Sequence, residues 1–193
     1  MKRSIVIFAI TIALGVNVQV HGAMAATKTL YENTGTDTGD GLISSKWVGD
    51  DGIHGAADDF KVPKSRVWTI TEVDATGVFY FDDGEAFFVD VYIFKNHGDL
   101  PGKLVASYPA LPFIADEFGS LQIQIPPTHL TGGRYWVSIV PNMSGGSSWL
   151  WETMSEVHRN RPAYRNEACP EWCRYANVGD LFFKLLGTEA HAR

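Results

Sequence analysis

Apolar and polar residues alternate with a period of two along much of the chain. The cleanest case is Leu121-Gln122-Ile123-Gln124-Ile125, which places Leu121, Ile123 and Ile125 on one face and both glutamines on the other. Val67-Trp68-Thr69-Ile70-Thr71-Glu72-Val73 alternates too and is rich in β-branched residues, so Trp68 and Ile70 share a face and Thr69 and Thr71 take the other. Further strands are predicted over 77–81, 87–94, 104–108, 134–140, 148–152 and 181–186. The long apolar run Phe87-Phe88-Val89-Asp90-Val91-Tyr92-Ile93-Phe94 suits a strand buried on both faces. Turn signals separate these runs: Asp82-Asp83-Gly84, Asn96-His97-Gly98, Leu100-Pro101-Gly102, Pro126-Pro127 and Thr131-Gly132-Gly133. Their spacing, roughly 8–12 residues, is that of an all-β sandwich.

No segment carries a capped helical pattern. One domain is predicted over 28–187, followed by a short polar tail, 188–193. Two regions are less regular. Residues 32–43, rich in Gly, Thr and Asp, are expected to wrap a sheet edge. Residues 154–178 read as a long loop, and ordered loops of that length are often functional.

The N-terminus adds a separate signal. Met1-Lys2-Arg3, an apolar stretch over 5–16 and Ala23-Met24-Ala25 together read as a secretory signal, 1–25. The apolar stretch is about a dozen residues, short of the ~20 that span a bilayer. The chain is thus expected to be secreted or periplasmic, with no membrane span after the signal.

Composition narrows the classes. With 16 Lys+Arg against 22 Asp+Glu the net charge is −6, which argues against a nucleic-acid partner. A hydrophobic fraction of 45% excludes a disordered chain. Two cysteines are too few for a disulfide scaffold or a four-cysteine zinc site.

Four segments in order carry a resemblance: Ala57-Asp58-Asp59-Phe60-x-Val62-Pro63 with Trp68-Thr69-Ile70-Thr71-x-Val73; Leu100-Pro101-Gly102; Gly133-x-Tyr135-Trp136-Val137-Ser138; and Gly179-Asp180-Leu181-x-Phe183-x-Leu185-x-Gly187. Together they resemble jelly-roll β-sandwich modules of exported bacterial proteins, most without an assigned function. The resemblance implies a two-sheet antiparallel jelly-roll sandwich and no catalytic residues. Related modules often carry a C-terminal anchor or sorting tail, whereas this chain stops after its last strand motif.

The chemistry lies late in the chain. Cys169-Pro170-Glu171-Trp172-Cys173 is expected to form a disulfide outside the cytoplasm, pinning the long loop and fixing Trp172. Metal or redox chemistry and free thiols are the alternatives, although no thioredoxin-like context surrounds the pair. Trp149 and Trp151 lie two apart, on one strand face. With Tyr164 and Trp172 they form a candidate sugar-stacking surface, and Arg161 and Arg165 supply donors. The alternative is that the tryptophans fill the core.

The acidic groups Asp37/Asp40, Asp50-Asp51, Asp58-Asp59 and Asp82-Asp83-Gly84-Glu85 would suit a structural calcium ion, or else are solvated turn residues. No other cofactor is expected. Catalytic motifs are missing: Gly145-Gly146-Ser147-Ser148 is no nucleophile elbow, and His54, His97, His129, His158 and His191 are scattered. The leading expectation is a non-catalytic exported module binding a glycan or surface partner. A small secreted polysaccharide hydrolase and a purely structural envelope protein are the alternatives. A hydrolase would need two facing carboxylates about 5–10 Å apart.

Overall fold

A computed structural model describes residues 26–47, 52–80, 86–144 and 146–192. Residues 1–25, read above as a secretory signal, Asp50-Asp51, residues 81–85, Gly145 and Arg193 lie outside the described residues. In chain order the strands are β1 (Lys28–Glu32), β2 (Asp37–Ile43), β3 (Ser45–Trp47), β4 (Ile53–Ala75), β5 (Gly77–Tyr80), β6 (Ala86–His97) and β7 (Leu100–Leu111). They continue with β8 (Ile114–Ala115), β9 (Leu121–Met143), β10 (Ser148–Met154), β11 (Ala163–Asn166), β12 (Cys169–Arg174) and β13 (Phe183–His191). The fold is all-β and sandwich-like, compatible with a jelly roll, and no helix occurs among the described residues.

A ten-stranded sheet runs β1-β13-β4-β3-β9-β6-β7, with β4 also paired to β9, and β11, β12 and β8 attached. A three-stranded sheet runs β2-β10-β5. Pairing is antiparallel throughout except between β3 and β9, so the large sheet is mixed where a wholly antiparallel one was expected. The region 32–43 supplies β2, an outer strand of the small sheet. Among the described residues no helix is long and apolar enough to cross a membrane.

The period-two pattern translates directly into burial. Leu121, Ile123 and Ile125 are buried while Gln122 and Gln124 are exposed; Trp68 and Ile70 are buried while Thr69 and Thr71 are only half-buried. The main core gathers inward residues of both sheets, including Phe60, Val91, Ile93, Val137, Ile139, Trp149, Trp151 and Phe183. A second cluster, Ala57, Phe94, Trp136 and Ala163, collects residues of the opposite parity on β4, β6 and β9. The large sheet is therefore covered on both faces there; of the apolar run over 87–94 that suggested such a strand, Phe87 and Phe88 are nonetheless exposed and burial begins at Val89.

Several expected turns are strand. β4 and β9 pair twice, Val62 with Gly133 and Val67 with Thr131, across an irregularity that holds Pro63. At that crossing a Cβ on Gly132 would lie 2.5 Å from Lys64 Cα, so only glycine admits the close approach. Pro126-Pro127 sits at the second irregularity, between Ile70 and Glu72 of the partner strand, where no ladder N–H is needed. Leu100-Pro101-Gly102 begins β7; the turn before it is made by Gly98 and Asp99, both at positive φ. The polar end 188–191, expected as a tail, continues β13 and pairs as far as His191 with Arg66.

Candidate functional site

The segment expected to be a long loop contains a β-hairpin. β11 pairs with β12 through Ala163–Arg174, Tyr164–Cys173 and Asn166–Cys169. Asn166 Oδ1 accepts the Cys169 N–H at 3.0 Å, and a Cys169–Cys173 disulfide ties β12 to itself. On its other side β11 pairs with β4 through Ala163–Ala57, Tyr164–Ala56 and Arg165–Gly55. The hairpin lies over the second cluster: Trp172 meets Phe94 edge-on at 5.5 Å.

Arg165 is the centre of this surface. Its guanidinium lies 5.0 Å from the Trp172 ring centroid and 5.6 Å from that of Tyr92. Its stem rests against Gly55, where a Cβ would stand 3.1 Å from Nε and crowd the side chain. The Nε–H is buried and unpartnered. No ion pair or hydrogen bond joins the guanidinium to another described residue. Burial pulls the Arg165 pKa below its usual value, because the charge is desolvated without a counter-ion. The neighbouring Tyr92 hydroxyl is pushed up to about 12 by burial and by Asp90, to which it donates at 3.1 Å.

Three clefts meet at Arg165. One, of 390 Å³, is walled by His97, Leu100, Pro101, Glu171 and Trp172. A second, of 320 Å³, is walled by Leu42, His54, Tyr164, Asn166 and Tyr175, with Tyr164 edge-on to Tyr175 at 5.6 Å. A third, of 240 Å³, is bounded by Ile53, Asn166, Glu167 and Pro170. Apolar walls, a cation, amide and carboxylate groups thus surround one point.

The first half of the same segment is built differently. Asp58 is fully buried and accepts from Leu181 N at 2.7 Å, Asp59 N at 2.7 Å and Asn33 Nδ2 at 3.2 Å. Asp59 accepts from Asn160 N at 3.1 Å and Asn160 Nδ2 at 3.3 Å. Asp180 accepts the His158 N–H at 2.7 Å, while its Oδ1 is buried without a partner. Asn160 thus ties residues 156–161 to β4, His158 ties them to Asp180, and Asp58 ties β4 to Leu181 and Asn33. Burial and the mutual proximity of Asp58 and Asp180 raise the Asp58 carboxyl well above its ordinary range. Burial raises Asp59 to about 6 and raises Asp180 as well. Asp58 and Asp59 are therefore buried strand residues, not the solvated turn residues that an acidic pair suggests.

A second close carboxyl pair, Glu72 and Asp74, lies along β4. Asp74 is raised to about 6 by burial and by the neighbouring Glu72 carboxyl, and its Oδ1 is buried without a partner. Among the described residues no group of three or more His, Cys, Asp or Glu is arranged to hold a metal.

The residues singled out from sequence separate into three groups. Trp172 and Arg165 come together, and Tyr164 borders a neighbouring cleft that Arg165 also lines but Trp172 does not. Arg161 stands apart, its Nη1 donating to the Val178 carbonyl. Trp149 and Trp151 are fully buried, 5.9 Å apart, with indole N–H groups given to the Gly119 and Phe182 carbonyls. As candidate stacking residues these two are corrected: a ring with no exposed face cannot meet a ligand. Sequence reasoning missed Tyr92, Gly55 and the His97–Pro101 wall, which reach the site only through long-range pairing. Neither a family model, nor a curated protein, nor a solved structure matches the chain.

Proposed function

We propose that the protein is an exported, non-catalytic β-sandwich module that binds a glycan on the face formed by the β11–β12 hairpin and the turn between β6 and β7. The observation that carries this reading is the cluster of Tyr92, Arg165 and Trp172 at the meeting of three open clefts. Sugars need an apolar wall for their C–H faces and fixed polar groups for their hydroxyls, and few surfaces supply both. Trp172 and Leu100 supply the wall; Arg165, Asn166, His97 and Glu171 supply the polar groups. The non-catalytic part rests on Asp58 and Asp59, whose carboxylates are already held by N–H donors of the fold. Export rests on the pattern of residues 1–25.

Affinity electrophoresis of the purified protein through gels cast with polysaccharides tests the reading. Retardation by at least one polysaccharide, abolished in Trp172→Ala at an unchanged thermal midpoint, is expected. A protein that migrates freely in every gel would overturn it.

A further inference from the structure

Resting on the glycan-binding reading, we propose that the sugar recognised is acidic: a uronic acid residue whose carboxylate is taken end-on by the Nη groups of Arg165 while its ring lies along Trp172 and Leu100. Three observations converge. The guanidinium is held beside two aromatic rings, 5.0 Å from the Trp172 centroid and 5.6 Å from the Tyr92 centroid, so its N–H groups are what it offers a polar ligand. Of these, Nε is buried against Gly55, which leaves the Nη pair facing the clefts. That pair is unpaired among the described residues, although the chain as a whole is acidic and offers many carboxylates.

A planar fork of two N–H donors matches a carboxylate in a bidentate geometry, and the bond is charge-assisted. The ring contacts also fix the fork in advance, so little rotamer freedom is lost on binding. The flanking groups sharpen the class. Glu167 and Glu171 border two of the clefts and would repel a densely sulfated chain while accepting sugar hydroxyls. A uronate joins one carboxylate to a rigid apolar ring face; an acidic peptide would bring its carboxylate on a flexible stem without that face.

The test is affinity electrophoresis in gels containing polygalacturonate, alginate or hyaluronate, set beside fully methyl-esterified polygalacturonate, hydroxyethyl cellulose, poly-glutamate and dextran sulfate. At least one uronate polymer is expected to retard the parent protein at least about tenfold more strongly than the neutral polymers. Arg165→Gln should abolish that preference. Arg165→Lys, which keeps the charge and loses the fork, should recover only part of it. Thermal midpoints of both variants identify any loss of fold.

Equal retardation by polygalacturonate and its methyl ester would overturn the acidic-sugar assignment and leave the glycan reading standing. Stronger retardation by poly-glutamate would replace it with an acidic peptide partner. Retardation greatest in dextran sulfate would reduce it to unspecific charge attraction. Free migration in all gels would overturn the assignment and the glycan reading together. If Arg165→Gln and Arg165→Lys both unfold, competition of the parent protein by free galacturonate against free galactose decides: equal competition overturns the assignment.

Discussion

The segment after β10 divides into two halves that spend their charges in opposite ways. In residues 156–161, Arg159 donates to the Tyr31 hydroxyl at 2.9 Å, Arg161 donates to the Val178 carbonyl, and Asn160 and His158 satisfy buried carboxylates. Every one of these groups closes the fold. In the hairpin that follows, Arg165 is partly desolvated, set beside two rings and left without an acceptor among the described residues. A buried polar group costs stability unless it is partnered, so the first half looks like construction and the second like a surface held ready. Arginine in an aromatic-rich loop is therefore not a uniform signal; what distinguishes the two halves is whether the folded chain already supplies the acceptor.

The largest expected effect comes from breaking the closed half. Asp58→Ala strands the Leu181 and Asp59 N–H groups and the Asn33 amide in the interior. A loss of about 3 kcal/mol is expected from chemical denaturation. A loss smaller than ~1 kcal/mol would show that these bonds are not structural.

The same cluster sets an unusual pH dependence. Asp59 titrates near 6 in the folded chain against 3.8 unfolded, and Asp58 and Asp180 are raised in the same direction. Between those values the folded state binds more protons than the unfolded one, so stability falls as pH rises through this window. The thermal midpoint should therefore be higher near pH 5 than near pH 7.5, by a few degrees. Asp180→Asn, by removing one of the crowded charges, should raise the neutral-pH midpoint and flatten the profile. A midpoint that climbs steadily from pH 5 to 7.5 would contradict the raised carboxyls.

Reduction of Cys169–Cys173 acts on the other half. The bond closes a very short loop, so its entropic contribution is at most about 2 kcal/mol. Cys169→Ser/Cys173→Ser should lower the midpoint modestly and weaken polysaccharide retention more, because Trp172 lies inside the closed loop. The smallest effect expected is that of Gly55→Ala: the new methyl meets the Arg165 side chain, shifting the guanidinium and lowering retention with little change in stability. Unaltered retention would show that the placement of Arg165 does not matter.

The contrast between halves also explains what could be read beforehand. Period-two alternation at 67–73 and 121–125 is local, and it places strands and faces correctly. Cys169 and Cys173 are neighbours in sequence, so their pairing was legible too. The identity of the buried tryptophans was not: Trp149 and Trp172 look alike in sequence, and only the pairing of β10 between β2 and β5 encloses the first. Nor was the role of Asp58-Asp59, whose donors arrive from Asn33, Asn160 and Leu181, distant along the chain. The turn signals failed where Pro126-Pro127 and Thr131-Gly132-Gly133 mark irregularities inside long strands rather than chain reversals.

The central claim is that Arg161 builds and Arg165 binds, and one paired measurement tests it: thermal midpoint and polygalacturonate retardation for Arg161→Gln and Arg165→Gln side by side. Arg161→Gln should lose stability, having lost the Val178 contact, while keeping its retardation. Arg165→Gln should stay within about 1 kcal/mol of the parent, its two ring contacts offset by relief of an unpaired cation, while losing retardation. Two variants that lose stability alike, with retardation unchanged in both, would contradict the account.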